Sequence, residues 1–160
     1  MTAKSINKLF QMIETTIKAD ASVLSILDDA GFQTDPAVNV VFGYDPEYPP
    51  ELSEIPTVYL NTGGRGRSAD FRMRTFVLTV WPTIQTDRRA DNLSLTSVQS
   101  LDLIDQLCNA IDTALLQALQ VNNYVALPQV SDEPDQLIYP AVRAYLGYEI
   151  QIPANLPATP

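Results

Sequence analysis

The sequence predicts an α+β fold: an antiparallel sheet with a long projecting β-hairpin, packed against an N-terminal helix and a long central helix. Three observations carry that expectation. Apolar residues recur at helical spacing near the start and again from about residue 97 to 119. Between them, two β-rich runs, 55–62 and 70–82, flank a short glycine-arginine segment, which is the signal of an antiparallel hairpin. Near the end, residues 141–152 alternate apolar and polar, as a strand lying on a core does.

In chain order, Ile6, Leu9, Phe10, Ile13 and Ile17 form one stripe of an amphipathic helix, with Lys8, Gln11, Glu14 and Lys18 elsewhere. Asp20 is placed to cap a second, short helix, ASVLSILDD, that Gly31 closes. The pair Asp28 and Asp29 at its end reads as surface charge. VNVVFG is a short strand, and the proline- and acid-rich YDPEYPPELSEIP is an irregular loop leading into the hairpin.

The second arm of the hairpin changes pattern along its length. Phe76, Leu78 and Val80 share one face, and Thr75, Val77, Thr79 and Trp81 share the other. Further out, the even face becomes Arg72 and Arg74 and the odd face Phe71 and Met73. Either a bulge shifts the register or the hairpin projects and offers Phe71 and Met73 to a partner subunit; the pattern favours projection. Arg65, Arg67, Phe71, Arg72, Met73 and Arg74 are therefore the candidate subunit-interface residues. A polar loop follows Pro82.

The helix from about Ser97 to Leu119 carries two adjacent apolar stripes. One is Leu101, Ile104, Cys108, Ile111 and Leu115; the other is Leu103, Leu107, Ala110 and Ala114. Packing one stripe on the sheet and the other on the N-terminal helix accounts for both, and burial in a subunit contact is the alternative. NNYVALPQV is a strand that Pro128 places at an edge or bulge, and SDEPDQ is a turn. In the last strand Val142, Ala144, Leu146, Tyr148, Ile150 and Ile152 share a face. A single domain is expected over 1–153, with 154–160 an extended proline-rich tail.

Composition narrows the function. With 160 residues, 46% of them hydrophobic, the chain can bury a proper core. A net charge of −9 argues against general binding to nucleic acid or anionic membranes. Of the ten Lys and Arg, six (Arg65, Arg67, Arg72, Arg74, Arg88 and Arg89) fall between positions 65 and 89. Such a cluster is either a solvated hairpin tip or a basic arm that meets an acidic surface, including that of another copy. The start of the chain carries no long apolar stretch, and folding in a cytoplasm is expected.

Catalytic chemistry finds little footing. The chain has no histidine, which removes the commonest general base and most zinc sites. Cys108, the single cysteine, lies in an apolar helical pattern and reads as a buried structural thiol. The run Gly63-Gly64-Arg65-Gly66-Arg67 lacks the Lys-Ser/Thr ending of a phosphate loop and leads into a strand. Asp132, Glu133 and Asp135 lack the glycine and terminal glutamate of a calcium loop. No cofactor and no metal are expected, and the chain is not expected to be an enzyme.

The order helix, short helix, strand, proline-rich loop, long hairpin, long helix and closing strands resembles the tail terminator (tail completion) proteins of long-tailed bacteriophages. The segments that carry it are SINKLFQMIETTIKADASVLSIL, PTVYLNTGGRGRSADFRMRTFVLTVWP, SLDLIDQLCNAIDTALLQ and AVRAYLGYEIQI. The resemblance covers most of the chain by pattern and order, without a diagnostic motif. It implies a virion protein of the tail or neck, assembled in the host cytoplasm as a homo-hexameric ring that caps the tail tube and stops its growth. Its implied partners are the tail tube protein, a neck or connector protein on the head side, and the sheath where the tail is contractile. The hairpin would contact a neighbouring subunit or ring. Genomic DNA would pass through an acidic lumen without specific binding, and no membrane is involved. Other neck and head–tail joining rings share this size and layout. A small acidic hydrolase with a carboxylate pair, and a nucleic-acid module built on the hairpin arginines, are the alternatives from other classes.

Overall fold

The computed structural model describes residues 6–43, 55–67, 73–85, 97–129, 136–138 and 141–153. Among these residues three helices, α1 (Ile6–Ala19), α2 (Ala21–Asp29) and α3 (Ser97–Val121), accompany seven strands in an α+β fold. The strands are β1 (Asn39–Phe42), β2 (Thr57–Arg67), β3 (Met73–Gln85), β4 (Val125–Gln129), β5 (Gln136–Ile138), β6 (Ala141–Arg143) and β7 (Leu146–Pro153). They form one sheet. From β1, β2 and β3 it continues into β7 and β4 along one half and into β6 and β5 along the other. Every pairing is antiparallel except β1 with β2, which is parallel and was not expected from the sequence.

The helix ends follow from their residues. The Asp20 carboxylate accepts from the backbone N–H of Ser22 and Val23 at the start of α2. At its other end Gly31 takes φ +86°, Gly31 N–H donates to Asp28 O, and Phe32 N–H donates to Leu27 O. This is a Schellman cap with the buried pair Phe32 and Leu27 as its apolar clasp. α3 ends the same way with Asn123 at φ 57°, Asn123 N–H donating to Gln120 O and Tyr124 N–H to Leu119 O. The two asparagines ascribed to a strand thus belong to a helix cap, and β4 starts at Val125.

All three helices contribute to one core on one face of the sheet. Leu9, Ile13 and Ile17 of α1, Val23 and Leu27 of α2, and Ile104, Leu107, Ile111 and Leu115 of α3 are buried in it. So are Leu60, Phe76, Leu78, Val80, Val142, Tyr148, Ile150 and Ile152 from the strands. The alternation seen in the sequence for 76–80 and 142–152 is therefore the helix-facing side. Of the two stripes on α3 only Leu101 is exposed and Ala110 half-buried; the rest, including Cys108, is buried between sheet and helices. Tyr148 ties the layers together: its hydroxyl donates to Asp112 Oδ1 on α3 at 2.6 Å.

Two features of the sheet come from proline. β3 does not stop at Pro82 but runs to Gln85, and Thr83, Ile84 and Gln85, expected in a loop, are buried strand. Ala144 N–H donates to Pro82 O, but the proline nitrogen has no hydrogen to return, so that rung stays half closed. This splits the closing alternation into β6 and β7, although both keep one register on β3, with Arg143 opposite Thr83 and Leu146 opposite Val80. Pro128 lies on β4, an edge strand as expected, which pairs with β7 alone among the described residues. By the alternation of antiparallel rungs it turns its missing N–H outward, which blunts that edge. Gln136, expected in a turn, begins β5, a short strand the sequence pattern did not reveal. The acids of 131–135 and the tail 154–160 lie outside the described residues.

Candidate assembly surface

The arms of the hairpin are β2 and β3, paired from Thr57↔Thr83 out to Arg67↔Arg74. β7 flanks β3 on its other side as far as Met73↔Pro153. The described outer half of β3 is thus interior sheet, whereas β2 beyond Leu60 pairs with β3 alone among the described residues. Residues 68–72, Phe71 and Arg72 among them, lie outside the described residues.

A register shift does exist, but on the partner strand. Between Gly63↔Val77 and Gly66↔Thr75 one extra residue is inserted on β2. Gly64 has φ +56°, the left-handed conformation that a β-bulge with leading glycine requires, and a Cβ there would lie 3.1 Å from Val77 Cγ2. The bulge places Arg65 beside Gly64, out of the regular ladder.

Past the bulge, Arg67 and Arg74 occupy directly opposed positions on neighbouring strands. Arg74 follows Phe76 and Leu78 on the helix-facing side, where the core ends, with Ile152 opposite it on β7. It is half-buried, and its Nε atom is buried without a hydrogen-bond partner among the described residues. Met73 is half-buried on the other face. The structure thus brings Arg67, Arg74 and Met73 to one end of the sheet, with Arg65 displaced by the bulge.

The second and third helices have the opposite charge, whereas α1 carries Lys8 and Lys18 beside Glu14. α2 and α3 contain Asp28, Asp29, Asp102, Asp105 and Asp112 and neither a lysine nor an arginine. A groove runs between them, with Asp20 and Ala110 toward one end, Asp29 and Asp102 toward the other, and Ile26 and Gln106 shared by both. Asp29 and Asp102 are exposed. Sequence reading missed this groove, since the packing of α2 beside α3 is a tertiary fact.

Among the described residues, no group of three or more Asp, Glu, Cys or His is arranged to hold a metal. Cys108 is buried and forms no disulfide. The Tyr148 hydroxyl is pushed far above its ordinary range, first by burial and then by its bond to the Asp112 carboxylate. On the face away from the helices, Tyr59, Trp81 and Tyr145 form a small aromatic cluster. Trp81 and Tyr145 meet edge to face with centroids 4.9 Å apart.

No family model matches the chain, and comparison with curated proteins returns no significant relative. No described helix is long and apolar enough to cross a membrane.

Proposed function

We propose that the protein is a structural virion subunit of the tail-terminator kind. Copies assemble as a hexameric ring that caps the phage tail tube, ends its growth and offers the head-joining face. The observation that carries this reading is the hairpin end. Two arginines at opposed register positions, one with a guanidinium nitrogen buried without a partner among the described residues, sit on an otherwise acidic chain. A fold concerned only with its own stability gains nothing from that arrangement, whereas a subunit that meets an acidic partner does. The order of elements matches the same reading: a short and a long helix, a long hairpin and closing strands on one sheet.

The test is tube growth. Purified protein added to polymerising tail tube subunits should arrest elongation and appear as a ring on one end of each tube. A connector ring of the neck would bind the head-side vertex instead and leave tube growth unchanged. A protein that stays monomeric and binds neither would end both readings.

A further inference from the structure

We infer that the acidic groove between α2 and α3 is the docking site for the arginine-bearing hairpin end of a second copy of this chain. The inference rests on the ring reading above and specifies which two surfaces meet.

Three observations converge. The groove is flanked by Asp20, Asp29 and Asp102, on helices that carry no cation of their own. The hairpin end carries Arg65, Arg67 and Arg74, with Arg67 and Arg74 opposed at its last described rung. The two surfaces belong to different layers of the molecule: the groove lies in the helix layer, the arginines at an end of the sheet. A contact between two different patches is heterologous, and heterologous contacts build closed rings when the rotation between copies closes. The floor of the groove suits such a guest. Ile26 and Ala110 give apolar contact for arginine stems, while the flanking carboxylates take the guanidinium forks.

Two charge-reversed proteins test this. One carries Arg65→Glu and Arg67→Glu; the other carries Asp29→Lys and Asp102→Lys. Both should keep the melting temperature of the natural protein. Each alone should assemble at least about tenfold more weakly by sedimentation at low salt. Mixed together, they should regain assembly, because each hairpin then meets a groove of opposite charge. Added salt should weaken association of the natural protein. If all proteins form rings alike, or if the mixture gains nothing over its parts, the docking site is wrong while the ring stands. If the groove variant self-assembles normally but no longer caps tubes, the groove receives a different protein and the inference is overturned. If the natural protein never assembles, alone or on a tube, the ring reading falls and the docking site with it.

Discussion

Among single residues, Phe76 and Tyr148 anchor the fold in different ways. Phe76 is 3% exposed in the main core, so Phe76→Ala should cost about 3–5 kcal/mol in denaturant melts. Such a loss is large against the stability of an ordinary domain. Tyr148 should give the protein an alkaline limit. Its folded hydroxyl resists ionisation, while in the unfolded chain it ionises near pH 10. Above that pH the unfolded state binds fewer protons, so stability should fall by about 1.4 kcal/mol per pH unit. The contribution is intact below pH 10. Tyr148→Phe should remove that slope at a cost of roughly 1 kcal/mol at neutral pH from the lost bond to Asp112. A pH series of melts on both proteins measures it. Cys108→Ala should cost on the order of 1 kcal/mol and leave assembly intact. The burial of Phe76 and Cys108 was legible in the sequence because each lies on a clear apolar period. The Tyr148–Asp112 bond was not, since it joins residues whose proximity depends on how α3 crosses the sheet.

For elements, the caps of α2 and the periodic segments were legible because their signals are local. Asp20 and Gly31 bracket α2 where the sequence placed them. Long-range features escaped. Pro82 looked like a strand end, but the neighbours of β3 on both sides hold the chain extended through one missing rung. The polarity change on β3 suggested projection, and the described strand instead stays paired to Met73. The change comes where the core ends beyond Phe76; the bulge lies on β2 and leaves the alternation of β3 unbroken against β7. The bulge gives a test of its own. Gly64→Val would force a β-branched residue to positive φ against Val77, and should lower the melting temperature. Arg67→Glu should differ from it: the subunit should keep its melting temperature while association weakens, because the change sits at the last described rung of the hairpin. Separate melts and sedimentation runs distinguish stability from assembly.

At the scale of the whole molecule, charge is divided between surfaces. α2 and α3 present carboxylates without a cation, α1 carries Lys8 and Lys18 beside Glu14, and the hairpin end carries arginines of a chain whose net charge is −9. That division was half legible: clustered arginines are visible in a sequence, but the groove opposite in sign is made by packing. Such a division fits the proposed ring of copies. The most direct measurement is electron microscopy of purified tail tubes incubated with the protein, scored for the rotational symmetry of the tube ends. A sixfold ring on one end of each tube is the expected result. Tubes that keep growing with bare ends, beside protein that remains monomeric, would contradict it.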